Sequence, residues 1–214
     1  MIIPYHIAIE GTIGVGKTSL AKVLGELIDA KLILEEFKEN PFLVEFYKDS
    51  ERYAFQTQLF FLLSRYRQQQ QLQQTELFTK TLISDYMFIK DRLFAALNLN
   101  DNEMSLYNRV ALILEKSVSS PDMVIFLQSD TDRLMYNIKT RGREYEKMID
   151  WKYIDALNQM YNEFFFRYNS SPLLIINTND IDFVNNKDDL EEIIQFIRTP
   201  GEGTRYFNPM KSIS

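Results

Sequence analysis

Apolar and polar positions form two kinds of pattern along the chain. Short runs rich in Ile, Val and Leu, without polar alternation, predict strands buried on both faces of a sheet. These runs are Tyr5–Ile9, Lys31–Leu34, Thr81–Ser84, Met123–Leu127 and Leu173–Ile176. Between them, apolar residues recur three and four positions apart, as in amphipathic helices; these segments are Thr18–Ile28, Arg52–Leu72, Met104–Val118, Thr131–Thr140, Trp151–Tyr168 and Leu190–Ile197. The alternation predicts an α/β fold, in which helices cover a parallel sheet.

Three segments need an interpretation of their own. The glutamine run Gln68–Gln71 is interpreted as a solvated helix end. The segment Asn98–Glu103 predicts a loop that ends in a helix cap. From Thr199 onward, two Gly, two Pro and little periodicity predict a mobile or docking tail. We therefore expect one domain over residues 1–198 and a C-terminal tail over 199–214.

Composition narrows the classes of function. The 214 residues carry 24 basic and 30 acidic side chains, a net charge of −6, which argues against a nucleic-acid partner because duplex binding needs a basic face. The absence of Cys excludes disulfides and thiolate metal sites, and a single His, His6, excludes a histidine metal cage. The longest apolar runs have five residues, far fewer than the about 20 of a membrane span. We expect no membrane partner and a cytoplasmic location.

One motif carries clear chemistry. The segment matches G-x-x-x-x-G-K-[ST] with Gly11, Thr12, Ile13, Gly14, Val15, Gly16, Lys17 and Thr18. Its glycines let consecutive backbone N–H groups surround phosphate oxygens, and the following helix adds its dipole. Lys17 is expected to reach the β- and γ-phosphates and Thr18 to bind Mg²⁺. The next residue, Ser19, has no assigned role.

The Met123–Leu127 run ends in Gln128-Ser129, not in the Asp-Glu of a motor ATPase, which favours a small-molecule kinase. Two further segments fit phosphoryl transfer. Glu35-Glu36 follows the second predicted strand, where a carboxylate can take the proton of an attacking hydroxyl; the alternative is a surface acidic pair. Arg141-Gly142-Arg143 suits closure over a triphosphate, with a surface turn as the alternative.

These elements together resemble the deoxyribonucleoside kinase family, which includes deoxycytidine, deoxyguanosine and deoxyadenosine kinases. The phosphate loop Gly11–Thr18 is similar to the first motif of the family. Glu35, five residues before Asn40-Pro41-Phe42, resembles the family's Glu-Pro-Val element, whose Glu is the general base towards the 5′-hydroxyl. Glu36 stands where that Pro usually lies, so both glutamates remain candidates for the base.

The resemblance extends to the acceptor side. Tyr47, Gln58 and Arg65 have the spacing of the family's sugar-contacting Tyr, base-reading Gln and base-edge Arg. One amide offers a donor and an acceptor to a base edge, which suits Gln58. Asp85 starts an element similar to the family's Asp/Glu-Arg-Ser motif and is implied to assist Mg²⁺, and Asp91 is implied to contact the base side.

This sequence departs from the family pattern at two positions. Tyr86 replaces the Arg that helps to hold the catalytic carboxylate and the phosphate, so this role is absent or is supplied elsewhere, with Arg92 and the lid arginines as candidates. In the segment that resembles the lid, Arg141 and Arg143 are implied to bind phosphates and Glu146 the 3′-hydroxyl of the sugar. Asn137 replaces a further lid Arg.

The resemblance also implies the remaining features of the protein. The loop around Asp182 and Phe183 would contact the adenine of the donor. The implied fold is a P-loop nucleoside-kinase fold with a five-stranded parallel sheet and a short Arg-containing lid, using ATP and Mg²⁺. The implied homodimer would use the apolar faces of Arg52–Leu72 and Met104–Val118.

We therefore expect a kinase that transfers the γ-phosphate of ATP to the 5′-hydroxyl of a deoxyribonucleoside in nucleotide salvage. Purine deoxynucleosides, deoxyadenosine first, are favoured as substrates. Two alternatives remain: a nucleoside monophosphate kinase such as a thymidylate kinase, and a nucleotide-regulated binding protein.

Overall fold

A parallel sheet runs through the middle of the molecule. The computed structural model describes residues 4–75, 81–183, 186–199 and 201–208. Within them, six strands form one sheet with the order β2-β3-β1-β4-β5-β6, and every neighbouring pair is parallel. The strands are His6–Gly11 (β1), Lys31–Ile33 (β2), Leu82–Ser84 (β3), Met123–Gln128 (β4), Leu173–Asn177 (β5) and Thr204–Phe207 (β6).

Eight α-helices occur in the described part of the chain. They are Lys17–Ile28 (α1), Leu43–Lys48 (α2), Ser50–Thr75 (α3), Lys90–Asn98 (α4), Asp101–Glu115 (α5), Thr131–Arg141 (α6), Trp151–Phe166 (α7) and Lys187–Arg198 (α8). The predicted α/β alternation is confirmed. The predicted cap is also confirmed, because the Asn100 side chain accepts from the N–H groups of Asn102 and Glu103 at the start of α5.

The prediction of five strands is wrong by one. The additional strand, β6, lies within residues 199–214, the segment interpreted as a tail, and pairs with β5 at the edge of the sheet. Only Phe207 of this four-residue strand is buried, and its ring lies 5.3 Å from that of Phe196. An edge strand with one buried residue shows no detectable hydrophobic periodicity, so the sequence pattern does not reveal β6. Its strand conformation depends on pairing with β5.

The core has one layer on each face of the sheet. Because successive strand residues point to opposite faces, Ile7 and Ile9 pack into one apolar cluster and Ala8 into the other. Buried residues of α1, α6 and α8 cover the first face, while α7 and part of α4 cover the second. The strands are therefore buried on both sides, which explains their unbroken apolar runs.

The interpretation of the glutamine run as solvated is wrong for its first two residues. Gln68 and Gln69 are buried, because α3 continues to Thr75 and packs this part against the sheet edge. Gln68 donates from Nε2 to the Leu34 carbonyl (3.2 Å) and accepts at Oε1 from the Tyr86 hydroxyl (2.7 Å). The Gln71 side chain lies outside the described part. No helix among the described residues has the length and apolar character needed to cross a membrane.

Two adjacent phenylalanines of α7 test the packing of the second face. Phe165 is buried and its ring stacks on that of Phe126 with centroids 4.3 Å apart, whereas Phe166 is 81% exposed. We expect Phe165→Ala to lower the free energy of unfolding by about 3–5 kcal/mol, because it leaves a cavity in the core. The matched control Phe166→Ala should change it by less than about 0.5 kcal/mol. Equal effects in urea titrations would contradict this packing.

Candidate active site

Three neighbouring strands deliver their following residues to one edge of the sheet. The phosphate loop follows β1, Glu35 follows β2 and Asp85 follows β3. The chain then passes to β4 on the other side of β1, which is the kind of switch point where ligands bind in open parallel sheets. A cavity opens here, and its wall includes Lys17, Thr18, Glu35, Tyr47, Gln58, Arg65, Asp85, Arg141, Arg143 and Glu146.

The phosphate loop has the backbone conformation that its glycines predict. Gly14 and Gly16 have φ values of 90° and 105°, in the left-handed region that favours glycine. A Cβ atom at Gly14 would lie 2.8 Å from the Leu134 carbonyl oxygen. Asn137, which stands in place of the family's additional lid arginine, donates to the Gly14 carbonyl (2.9 Å) and ties α6 to the loop.

Lys17 lies across the mouth of the loop. Its Nζ donates to the carbonyl oxygens of Gly11 (2.6 Å) and Thr12 (3.2 Å). Burial, and to a smaller extent the neighbouring charge of Lys90, lowers the pKa of Lys17 to about 8. The first N–H groups of α1 and the Lys17 ammonium therefore present positive charge to an anion at one place.

The two predicted Mg²⁺ ligands lie side by side. The Thr18 hydroxyl donates to Asp85 Oδ2 (2.5 Å), and Asp85 Oδ1 accepts from the Glu35 backbone N–H (2.8 Å). Mg²⁺ prefers oxygen ligands and usually keeps several waters, so one hydroxyl and one carboxylate suffice when phosphate oxygens complete the shell. This pair of residues fits the ion.

Glu35 is held by two cations. Arg65 donates to Glu35 Oε1, and the Lys90 ammonium donates to Glu35 Oε2 (2.9 Å). Burial alone would raise the pKa of Glu35, but the charges of Lys90 and Arg65 outweigh it and hold the pKa well below its usual range. Glu35 is therefore an ionised carboxylate with a fixed orientation, whereas Glu36 is exposed.

Arg65 connects Glu35 to Asp91. Its guanidinium donates to both carboxylates and lies between the rings of Phe61 (5.1 Å) and Tyr86 (5.7 Å). The predicted Arg65–Asp91 pair forms, but Asp91 stands behind Arg65 and outside the wall of the cavity. Its position suits holding Arg65 in place more than direct contact with a base.

The far part of the cavity is aromatic with a few polar groups. Gln58 is buried there beside Phe61, and the rings of Tyr47 and Tyr145 are nearly parallel with centroids 6.1 Å apart. The adjacent Thr57 hydroxyl is buried and has no partner among the described residues. A flat ring with hydrogen-bonding edges suits such a pocket, because its faces can stack while its edges pair with an amide.

The lid segment is joined to the cavity wall by ion pairs. Arg141 donates from Nε (3.0 Å) and Nη2 (2.7 Å) to the buried carboxylate of Glu146, and Arg143 donates to Glu146 Oε1 (3.2 Å). The Arg143 guanidinium also lies 4.0 Å from the centre of the Phe37 ring. Both arginines therefore face the same cavity as Lys17.

Some predicted residues lie elsewhere. Arg92 is paired with Glu115 on α5 (2.7 Å), outside the cavity wall, and so does not replace the arginine missing at Tyr86. Phe183 packs close to Gly16 on the outer side of the phosphate loop, and Asp182 is exposed in the same turn. His6 bonds the Ser84 hydroxyl (2.9 Å) in the core, as its structural interpretation predicts.

Two charged residues of the site escape the motifs. Lys90 bonds Glu35, and Glu10 lies buried at the end of β1, where it accepts from the N–H groups of Met87 (2.6 Å) and Gly11 (3.2 Å). Burial raises the pKa of Glu10. The detectable signal is an ionisable residue directly after apolar residues, Ala8-Ile9 before Glu10 and Phe88-Ile89 before Lys90, but only the fold shows what each residue contacts.

Comparison with known proteins decides the family. A family model described as deoxynucleoside kinase matches residues 7–200. The chain belongs to the deoxynucleoside kinase family. This deoxynucleoside kinase is 34% identical over 206 residues to the deoxyadenosine kinase of Dictyostelium discoideum, covering 95% of this chain and 82% of that protein. It is 31% identical over 199 residues to the deoxyguanosine kinase of Bacillus subtilis, covering 90% and 95%.

Solved structures agree with this assignment. The deoxyadenosine kinase of M. mycoides with bound dATP superimposes on this kinase with a TM-score of 0.78 at 25% identity, covering 91% of this chain and 100% of that one. The same enzyme with bound dCTP gives a TM-score of 0.77 at 26% identity, covering 90% and 98%. The family resemblance and the P-loop nucleoside-kinase fold are thereby confirmed.

The ionised state of Glu35 predicts a pH-dependent stability. Its pKa in the fold lies below the ordinary value of 4.5, so its interactions stabilise the protein above that pH and are lost as the pH falls below it. We expect Glu35→Gln to lower the free energy of unfolding most near pH 7, with a difference from wild type that shrinks at lower pH. Urea titrations at several pH values measure this difference. The exposed control Glu36→Gln should stay near wild type throughout, and a constant difference for Glu35→Gln would contradict the prediction.

Proposed function

We propose that this kinase transfers the γ-phosphate of ATP to the 5′-hydroxyl of a deoxyribonucleoside, in nucleotide salvage. The observation that carries the proposal is the single cavity in which Glu35 lies beside Thr18, Asp85 and Lys17 at one end and Gln58 at the other. One end suits a triphosphate and the other suits a nucleoside, with the carboxylate between them. The cytoplasmic location expected from the sequence stays a prediction.

Glu35 is the proposed acceptor of the proton from the 5′-hydroxyl. Arg65 and Lys90 keep it ionised, so it is a weak base with a fixed position. A weak base suffices, because the loose transition state of phosphoryl transfer needs little deprotonation before the bond to the leaving group has lengthened. Most of the rate then comes from orientation of the hydroxyl and from neutralisation of charge.

The phosphate groups are assigned to the basic residues around them. Lys17 and the N–H groups of the loop would hold the β- and γ-phosphates, with Arg141 and Arg143 approaching from the lid. Thr18 and Asp85 would hold Mg²⁺, which neutralises charge between the β- and γ-phosphates. Phe183, against Gly16, and Asp182 would lie near the base of the donor.

A purine deoxynucleoside, deoxyadenosine first, is the proposed acceptor. Gln58 would pair with the base edge, Phe61 and Tyr47 would enclose the ring and the sugar, and Glu146 would accept from the 3′-hydroxyl. The names of two relatives support a purine: one is a deoxyadenosine kinase and the other a deoxyguanosine kinase.

The assay that tests the proposal measures ADP release with each of the four deoxyribonucleosides and, in parallel, with each of the four monophosphates. We expect turnover with nucleosides, highest with deoxyadenosine. Turnover only with a monophosphate would make the protein a nucleoside monophosphate kinase. No turnover with any of the eight would favour the nucleotide-regulated binding protein.

A matched pair of variants tests the base. Glu35→Gln keeps the size of the side chain but removes the proton acceptor, so kcat should fall by about 10²- to 10⁴-fold. Its neighbour Glu36 is exposed, so Glu36→Gln should keep near-normal turnover. Circular dichroism confirms that both variants fold. A large loss of kcat in Glu36→Gln alone would transfer the role of base to Glu36.

We also propose the homodimer that the family resemblance implies. Leu63 on α3 is exposed, as are Leu106 and Ile113 on α5, which are seven residues apart and so lie on one face of that helix. Ile113→Glu should convert a dimer into a monomer in light scattering after size exclusion, because it places a charge in an apolar contact. Phe166→Glu, at an exposed apolar residue of α7, is the control. A wild-type monomer would rule out the dimer.

A further inference from the structure

Three local effects oppose a positive charge at the buried position of Lys90. Its side chain is only 4% exposed, so its ammonium has lost most of its water. It is the first residue of α4, where the helix dipole repels a cation. It also lies close enough to Lys17 for the two charges to repel each other.

The carboxylates of the site offset these effects. The Lys90 ammonium donates to Glu35 Oε2 at 2.9 Å, and the carboxyl group of Glu10 lies close enough to interact with its charge. The ring of Phe94, 5.6 Å from Nζ, covers the cation on another side. A lysine that only stabilised α4 would be expected at the other end of the helix and in water, so its position points to the site.

Tyr86, at the arginine position of the family motif, cannot supply a positive charge beside Glu35. Tyr86 is fully buried and its hydroxyl donates to Gln68. Its ring instead lies against the guanidinium of Arg65. Arg92 is paired with Glu115, and Arg141 and Arg143 are paired with Glu146. Among the described residues, the cations bonded to Glu35 are therefore Arg65 and Lys90.

We propose that Lys90 is the positioning residue that takes over the missing arginine's role at the catalytic carboxylate. This inference rests on the proposed function. One cation holds each oxygen of Glu35: Arg65 holds Oε1 from α3 and Lys90 holds Oε2 from α4. Two charge-assisted hydrogen bonds from different helices fix the rotation of the carboxyl group, which neither bond could do alone. Tyr86 contributes by supporting Arg65, and Lys90 contributes the charge.

The consequence of losing Lys90 concerns the orientation of Glu35. Removal of the Lys90 ammonium takes away the hydrogen bond to Oε2, so the carboxyl group can rotate about the remaining bond from Arg65 to Oε1. The charge of Arg65 stays in place beside Glu35, so the loss is mainly one of orientation.

The test compares Lys90→Met with Arg92→Met in full-length enzyme. Both variants remove one cation from α4, but Arg92 lies outside the cavity. With saturating Mg²⁺, ATP and deoxynucleoside, we expect kcat of Lys90→Met to fall roughly 10- to 100-fold, the value of one charge-assisted hydrogen bond, with little change in KM. Lys90→Arg, which keeps the charge, should restore kcat to within a few fold of wild type. Arg92→Met should keep the wild-type kcat and KM.

Other outcomes would overturn the inference. A rise in KM for the deoxynucleoside with kcat unchanged would make Lys90 a binding residue, and an equal fall of kcat in Arg92→Met would make the loss a helix effect. If Lys90→Met does not fold, Lys90→Arg alone still tests the proposal, because a loss of kcat in that variant as large as the one expected for Lys90→Met contradicts it. Normal turnover by Lys90→Met refutes this inference alone, whereas a wild-type enzyme inactive with every nucleoside refutes the proposed function.

Discussion

The neutralisation of buried charge at the carboxyl edge of the sheet is the constraint on which the site depends. Glu35 remains ionised there because Lys90 and Arg65 both bond it, and the same Arg65 guanidinium pairs with Asp91. Loss of one partner from such a set leaves an uncompensated buried charge, which costs several kcal/mol. The same set fixes the orientation of Glu35, so the interactions that make the charges tolerable are also those that prepare the carboxylate for chemistry.

The topology brings these residues together. Three adjacent parallel strands end at the same edge and deliver the phosphate loop, Glu35 and Asp85, and the long helix α3 brings Arg65 to Glu35. Gln58 and Arg65 are seven residues apart on α3, two helical turns, so both face the cavity. Gln68, three residues further, bonds Leu34, the residue after β2, and Tyr86. One face of α3 thus lines the pocket, holds the Glu35 carboxylate and packs against the edge of the sheet.

The departure at position 86 shows how the site accommodates a changed residue. A neutral Tyr86 at this position has a buried ring beside Arg65 and a hydroxyl bonded to Gln68. It therefore acts through packing, and the second cation beside Glu35 comes from Lys90, four residues later at the first position of α4. Nearby, buried Glu10 accepts the N–H group of Met87 and joins β1 to the same segment. A motif that looks incomplete in sequence is thus a complete arrangement of charge in three dimensions.

Local sequence determined the parts of this protein whose physics is local. The phosphate loop needs glycines at fixed spacing and a lysine, buried strands need apolar runs, and helices need a period near 3.6, so the fold class, the loop with Lys17 and Thr18, and the Glu35-Glu36 pair as candidates were predictable from neighbouring residues. The tertiary structure alone decided contacts between distant segments. Lys90 is 55 residues from Glu35 in the chain, Met87 is 77 from Glu10, and Gln68 is 34 from Leu34. The pairing of β6 with β5 and the ion pair of Asp91 with Arg65 are also contacts between distant segments. Such pairings depend on which surfaces the fold brings together, and no periodicity along the chain encodes them.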